Sequence, residues 1–352
     1  MKRVTFICSH LGKGGAERVM CLLINNCVKM GWDVQVIMLY ENLIDYPVLP
    51  GAKIECLAWK KSEGLGELLY KFKTLRRRVT GDYVVSFLYV PIVFTVFSTL
   101  GMKKRVIVSE RGDPAADPEG WAHQLLRTTA YYFADAIVFQ TKQAKDFFSP
   151  AISKKGVIIP NPISDNIPDR YVGQRKKTVV AAGRLDKQKN FPLLIRAFAK
   201  LHREKKDYRL KIFGQGPDEE ALKNLVDSLG LGEAVDFPGF VRDVDQQMRD
   251  AALYVSSSDY EGISNSMLEA LAMGVPTVCT DCRVGGAREM IEDGVSGLLV
   301  PTGNEERLYQ AMKRILDNPS YASELTDHAV EIREKLSEET IIPQWIKVIE
   351  QK

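Results

Sequence analysis

Short apolar runs, unbroken rather than alternating with polar residues, recur along the whole chain and are separated by segments of helical period. Residues 4–8, 33–39, 83–88, 105–109, 136–140 and 156–159 are such runs, and 17–31 has helical spacing between the first two. A strand that is apolar on both faces needs cover on both faces, which means a parallel sheet crossed over by helices. Residues 161–177 break the rhythm with Pro162, Pro168 and Gly173 in a polar, basic stretch, the best linker candidate in the chain. The alternation then restarts, with strands expected at 178–182, 208–213, 235–237, 253–256, 277–279 and 298–300. Helices are expected at 192–205, 219–229, 245–251 and 264–273, and at 305–318, 323–334 and from 338 onward. The expectation is an α/β protein of two successive parallel-sheet domains, 1–165 and 166–338, with the ligand site in the cleft at the carboxyl ends of the strands. A length of 352 residues suits two cores better than one.

Charge divides unevenly between the halves. Residues 1–165 hold 22 Lys and Arg against 15 Asp and Glu, whereas the remainder holds 26 against 30. A basic first half points to an anionic partner, phosphate or a membrane surface, or else to a chance imbalance on solvated faces. Within that half, Leu65, Leu68, Leu69, Phe72, Leu75 and Val79 fall on one helical face and Lys71, Lys73, Arg76, Arg77 and Arg78 on much of the rest. Residues 65–79 therefore form a basic amphipathic helix, suited to anionic lipid or to a lipid diphosphate, or simply to packing its stripe on the sheet. Nucleic acid is disfavoured, because no recognised reader motif appears. The apolar run 87–101 is interrupted by Pro91 and is too short to span a membrane; a strand and then a helix from Pro91 are expected. Lys2-Arg3 followed by five apolar residues reads as a first strand and not a secretory signal. Six scattered cysteines fit reduced, buried thiols, and the Cys279-x-x-Cys282 pair has no second pair or nearby histidine to complete a metal site. A cytoplasmic protein, peripheral on the inner face of the cell membrane, is the expectation.

Two glycine-rich turns, Gly12–Gly15 and Gly214–Gly216, stand between a strand and a helix. Gly12-Lys13-Gly14-Gly15-Ala16-Glu17-Arg18 allows close backbone approach at a helix amino end, which favours an anion. It is not a dinucleotide fingerprint, since Glu17 stands where the last glycine belongs, and no Gly-Lys-Ser/Thr makes it a phosphate-loop ATPase. Gly214-Gln215-Gly216 fails the same pattern at Glu219. The second half is more specific. Arg184 and Lys189 lie five positions apart on one loop after a strand, so both can reach one diphosphate. Asp259-Tyr260-Glu261-Gly262 turns into a helix that begins with Ser264, Asn265 and Ser266, residues that suit phosphate at a dipole's positive end. Glu269 lies one turn beyond Asn265, so that Glu261 and Glu269 can share a pocket and accept hydrogen bonds from sugar or ribose hydroxyls. Taken singly, these residues are equally well loop charges and a helix cap; together, at strand ends of one sheet, they form a site.

Gly-Arg-Leu-x-x-x-Lys-Asn at 183–190, Glu-Gly with a second Glu at 261–269, Ala-x-Gly-Val-Pro at 272–276, Gly-Gly-Ala-Arg-Glu at 285–289 and Gly-x-x-Gly-Leu-Leu-Val-Pro at 294–301 carry a family resemblance. Together they resemble the retaining glycosyltransferases of GT-B fold, family 4 or "glycosyl transferases group 1", of bacterial polysaccharide and lipid-linked oligosaccharide assembly. Gly14-Gly15-Ala16-Glu17-Arg18 is similar to the donor-phosphate loop of many members. The resemblance implies two Rossmann-like domains facing across a cleft, with helix 339–352 returning to the first. It implies a nucleoside-diphosphate sugar donor, a UDP-sugar, and no cofactor or metal ion. Arg184 and Lys189 would bind the diphosphate, Glu269 the ribose, Glu261 the transferred sugar, Ser264, Asn265 and Ser266 the phosphates and sugar, and backbone at Phe240-Val241 the base. Gly14 and Gly15 would approach the donor phosphates. A hexose or N-acetylhexosamine would pass to a glycan acceptor on a polyprenyl diphosphate, in capsule, exopolysaccharide or O-antigen assembly. Many relatives carry a histidine after the strand that here reads 106–109; this chain continues Glu110-Arg111-Gly112-Asp113-Pro114. Members acting on lipid-diphosphate-linked sugars often carry a similar Ser-Glu-Arg or Ser-Glu-His segment, so the resemblance places Glu110 and Arg111 on the acceptor side, ahead of His10 and His123. The rival readings are a non-catalytic nucleotide-sugar or glycan-binding protein and a sugar-nucleotide epimerase of similar shape.

Overall fold

A computed structural model describes residues 1–60 and 64–351; Lys352, the last residue of the expected terminal helix, lies outside them. The chain divides into two compact units, Met1–Pro162 with Glu338–Lys352, and Ile163–Ser337.

The first unit is built on a parallel sheet of β1 (Arg3–Cys8), β2 (Asp33–Met38), β3 (Ala52–Cys56), β4 (Tyr83–Phe87), β5 (Arg105–Ser109), β6 (Ala136–Phe139) and β7 (Gly156–Ile158). Their spatial order is β3-β2-β1-β4-β5-β6-β7. The strand direction of build-up therefore reverses between β1 and β4, the point where a doubly wound sheet opens a crevice at its carboxyl edge. Val4, Phe6 and Ile7 on β1 and Val84 and Val85 on β4 are fully covered, which is why these strands appear as unbroken apolar runs. The edge strand β3 has no such run. Its Lys53 and Ile54 are exposed and the others half-buried, so the sequence pattern did not reveal it.

The helix expected from Pro91 starts earlier, at Tyr89, because Leu88 takes a left-handed turn (φ 67°) and proline is tolerated in a first turn. The stripe on helix Leu65–Arg78 is divided. Leu75 is buried and Phe72 packs on Phe94 and Phe97 of helix Tyr89–Thr99, at centroid separations of 5.0 and 6.4 Å, whereas Leu65 and Leu69 stay exposed. Lys71 does not belong to the solvated basic face. It is buried, donates to the Lys60 carbonyl, pairs with Glu67 at 2.9 Å and lies 5.8 Å from the Trp59 ring. The closing helix Glu338–Glu350 buries Trp345 completely, 5.3 Å from the Phe87 ring, and its Val348 carbonyl accepts from the Arg105 guanidinium.

The second unit holds β8 (Lys176–Ala182), β9 (Arg209–Phe213), β10 (Val235–Gly239), β11 (Ala251–Ser256), β12 (Thr277–Asp281) and β13 (Leu298–Pro301). All pair in parallel, in the order β10-β9-β8-β11-β12-β13, which puts the reversal between β8 and β11. Helix Phe191–Glu204 shows the amphipathic logic of the cover: Phe191, Leu194, Ile195, Phe198 and Leu201 recur every three or four residues and are buried on the sheet. The expected linker is not a free tether. Past Pro162 it is bonded along the second unit, with Ile163 N–H on the Leu336 carbonyl (2.7 Å) and the Arg333 guanidinium on the carbonyls of Ile167 and Pro168 (3.0 and 3.1 Å). Arginine side chains there satisfy backbone carbonyls that a Pro- and Gly-interrupted segment cannot pair in a ladder. Among the described residues, no helix is long and apolar enough to cross a membrane.

Candidate active site

The loops after β8 and β11, on either side of the reversal in the second sheet, carry the residues singled out by the sequence. The β8 loop begins at Gly183, whose carbonyl would lie 1.9 Å from a Cβ on Gly214, so only glycine at 214 permits the two loops to touch. Asp186 caps the turn Lys187–Lys189, and Asn190, left-handed at φ 42°, caps helix Phe191–Glu204 through Leu193 N–H (3.3 Å). Two caps in succession fix the backbone of Lys189 and aim its side chain at the β11 loop.

There the Lys189 ammonium pairs with the Glu261 carboxylate, and the Ser258 hydroxyl donates to the same Glu261 oxygen at 3.1 Å. The Ser257 hydroxyl donates to the Lys189 carbonyl (2.9 Å), the Asn190 amide to Asp259 (2.8 Å), and Asp259 N–H to the Gln188 carbonyl (2.9 Å). The Lys189 and Glu261 side chains are only 15% and 20% exposed, so their attraction is less screened than that of a surface pair. Arg184 differs: its side chain is 72% exposed and is anchored at one point, Nε on Asp186 Oδ2 at 2.5 Å. Sequence reasoning missed Asp186, Ser257 and Ser258, and named Asp259 in its turn without giving it a role. The available signal was the polar run Ser256-Ser257-Ser258-Asp259 at the end of an apolar strand, where a core strand has no use for four polar residues.

Helix Asn265–Ala272 starts beside the same loops. The Ser266 hydroxyl lies 3.2 Å from the Ala182 carbonyl at the end of β8, 2.8 Å from the Tyr254 hydroxyl and 3.1 Å from that of Ser264. Ser264 and Glu269 are buried, Glu269 one turn inside the helix. Gly286 supports the turn from below; a Cβ on it would fall 1.7 Å from the Gly262 carbonyl. Glu261, Gly262, Ser258, Ser264, Cys282 and Ala287 line one small recess. Val241 lies apart from these, just past β10 at the sheet edge and half-buried. The five buried thiols are unreactive in character. Burial pushes Cys21, Cys27 and Cys282 up to about 12, and Cys8 and Cys279 further still.

In the first unit, Gly14 is the N-cap of helix Gly15–Lys29, and the Glu17 carboxylate folds back over it, 1.8 Å from where a Gly14 Cβ would stand. Glu110 and Arg111 follow β5 and separate at once. The Glu110 carboxylate is buried, accepts from the Tyr131 hydroxyl (3.0 Å) and faces the Arg127 guanidinium (3.5 Å). Burial pushes its pKa up, against the opposing pull of Arg127 and Tyr131. Arg127 in turn donates to the carbonyls of Pro114 (2.8 Å) and Asp117 (2.7 Å). Arg111 lies 4.9 Å over the Phe87 ring and donates to Asn161 Oδ1 and, at 3.4 Å, to Ser109. Burial lowers its pKa and the charge of Glu17 raises it. His10 accepts from Gly12 N–H (3.0 Å) within its own turn, and His123 is exposed beside Tyr89. Among the described residues, no group of three or more His, Cys, Asp or Glu side chains is placed to hold a metal ion.

The family model "Glycosyl transferases group 1" matches residues 164–336, nearly the whole of the second unit. An N-acetylgalactosamine-N,N'-diacetylbacillosaminyl-diphospho-undecaprenol 4-alpha-N-acetylgalactosaminyltransferase of Campylobacter jejuni is 31% identical, over 90% of this chain and 91% of its own. The chain is a group-1 glycosyltransferase. A second relative from the same organism, the GalNAc-alpha-(1->4)-GalNAc-alpha-(1->3)-diNAcBac-PP-undecaprenol alpha-1,4-N-acetyl-D-galactosaminyltransferase, is 27% identical over 99% of this glycosyltransferase and 98% of the relative. Among solved structures, Anabaena HepE in complex with UDP and glucose superposes with a TM-score of 0.85 at 17% identity, each chain covered in full. Sucrose-phosphate synthase from Thermosynechococcus elongatus gives 0.86 at 18%, with 100% of the glycosyltransferase and 99% of that chain covered. These likenesses place the two parallel-sheet units of this glycosyltransferase in the GT-B fold class.

Proposed function

We propose that this glycosyltransferase moves a hexose or N-acetylhexosamine from a nucleoside-diphosphate sugar, a UDP-sugar, to a glycan carried on a polyprenyl diphosphate, with retention at the anomeric carbon and without a metal ion. The observation that carries the reading is the Lys189–Glu261 pair at the reversal of the second sheet, a cation and a carboxylate that one sugar diphosphate engages together. The names of both Campylobacter relatives, which specify undecaprenol-linked substrates, and the UDP and glucose in the HepE complex support it.

In the free site the two charges hold each other. A donor divides them: a β-phosphate oxygen takes the Lys189 ammonium, and sugar hydroxyls donate to Glu261, which Ser258 keeps in place. Arg184, exposed and anchored at one end, adds its planar donors to the diphosphate. Ser264, Asn265 and Ser266 at the helix start favour the anion, Glu269 accepts from the ribose, and backbone at Val241 holds the base. Gly14 and Gly15 serve the donor phosphates and Arg111 the acceptor side, while Glu110, sealed against Arg127 and Tyr131, serves that side only by holding the segment in place. The acceptor hydroxyl attacks C1 on the face that the diphosphate leaves. The C1–O bond to phosphate breaks, the new C1–O bond forms, and the hydroxyl proton passes to the leaving phosphate oxygen. Charge builds on that diphosphate, so Lys189 and Arg184 contribute mainly by stabilising it. Peripheral contact with anionic membrane through residues 65–79 belongs to the same proposal, with Leu65, Leu69 and Tyr70 exposed at one end of that helix and Lys73 and Arg77 exposed along it.

Lys189→Ala and Arg184→Ala should each lower transfer to a polyprenyl-diphosphate glycan by about 100-fold or more, the loss typical of one oxyanion donor, with little change in melting temperature for the exposed Arg184 and a modest fall for Lys189, whose loss leaves Glu261 unpaired. Near-normal turnover in either variant, an inverted anomer by NMR, or loss of activity on chelation would refute the corresponding part of the mechanism.

A further inference from the structure

Helix Trp121–Phe133 of the first unit has an outward face without a single charge. Its one formal cation, Arg127, is buried, while Trp121 (79%), Leu125 (60%), Phe133 (55%) and Tyr132 (46%) are exposed. A surface helix of a globular protein ordinarily turns charged or polar residues to water, so this face is inverted. The apolar surface does not stop at the helix. Phe133 meets Phe97 at 6.5 Å, and exposed Leu100 closes the neighbouring helix. Tyr132 OH lies 2.9 Å from Ser149 Oγ, bringing the loop with exposed Phe147 alongside.

Cations frame this ridge. Arg76 reaches over from helix Leu65–Arg78 and donates to the carbonyls of Ser98 (3.0 Å) and Leu100 (2.7 Å). At the carboxyl end of the ridge, Lys155 donates to the carbonyls of Tyr132 (2.6 Å) and Ala134 (3.0 Å). Lys103 stands exposed three residues beyond Leu100, and the nearest acids in sequence, Glu119 and Asp135, lie past the two ends of the helix. Aromatic and aliphatic side chains with a cationic margin match the boundary between acyl chains and anionic headgroups, where Trp and Tyr are favoured and each nearby cation adds attraction. A second copy of the chain fits less well, because a self-complementary contact through this ridge would set cationic margins together with no acidic residue on the helix to pair with them.

We infer that the Trp121–Phe133 ridge is the main surface by which this protein lies on an anionic bilayer. Trp121, Leu125 and Phe133 enter the headgroup boundary, and Arg76, Lys103 and Lys155 meet lipid phosphates. This deepens the membrane contact proposed above by moving its centre from residues 65–79 to the helix on the far side of Tyr89–Thr99. It rests on that contact alone, so vesicles free of acceptor and donor test it apart from the transfer reaction.

The full chain is floated with vesicles of phosphatidylglycerol mixed with phosphatidylcholine, and with vesicles of phosphatidylcholine alone. The wild type should float with the former, with a blue shift of tryptophan emission that Trp121→Phe removes. W121S/L125E should weaken binding by about tenfold or more and R76Q/K155Q by about fivefold, the latter also flattening the salt dependence. L65S/L69S should weaken it less than W121S/L125E. Each variant is scored only if it keeps the wild-type melting temperature; the milder L125Q stands in for W121S/L125E if that variant does not. Absence of flotation by the wild type, equal binding by W121S/L125E, a larger loss in L65S/L69S, or a dimer in sedimentation velocity abolished by L125E would overturn the assignment.

Discussion

Glu110 and Arg111 are adjacent in sequence, yet the fold gives them different tasks. Glu110 is sealed against Arg127 and Tyr131, while Arg111 lies over Phe87 and reaches Asn161. Removing one partner of a buried pair leaves an uncompensated charge, which costs more than the pair contributes. Arg127→Met should therefore lower stability by about 3–5 kcal/mol in denaturant melts. Glu110→Gln, which keeps a hydrogen bond to Tyr131, should cost less in the same assay. Nothing in the local sequence announces this, because Arg127 lies 17 residues downstream and is brought back only when its helix packs. Arg184, Lys189 and Glu261 were legible for the opposite reason: they occupy loops at strand ends, where charged residues among glycines have no packing role. Ser258 was not, since its part is to orient Glu261.

At the level of elements, strands covered on both faces were readable and the half-exposed edge strand β3 was not. Periodicity also found helix Leu65–Arg78 but could not tell which end of its stripe the neighbouring helix would cover. The glycine turns were visible as turns, whereas their reason is tertiary. Gly286 is glycine because the Gly262 carbonyl stands where its side chain would be. Gly286→Ala must push the two segments apart, and overpacking of this kind typically costs 1–3 kcal/mol. Displacement at Gly262 is next to Glu261, so the same variant should bind a nucleotide sugar several-fold more weakly by calorimetry. Gly303→Ala, with open space around it but φ 68°, should lose stability without losing donor affinity.

For the molecule as a whole, helix Glu338–Glu350 is part of the first unit although it follows the second in sequence. Trp345 lies fully buried against Phe87, so Trp345→Ala should cost about 3–5 kcal/mol. In differential scanning calorimetry the loss should fall on the transition of the first unit more than on that of the second. Two-state bookkeeping does not hold for such a chain, and the two transitions need separate fits. The same connectivity governs the order of events at the ribosome. The first unit is begun first but lacks Trp345 until the second has been synthesised in full, an interval of roughly 10–40 s at 5–20 residues per second. During that interval the Phe87 side of its core stands open, and the nascent N-terminal half is the natural client for a chaperone.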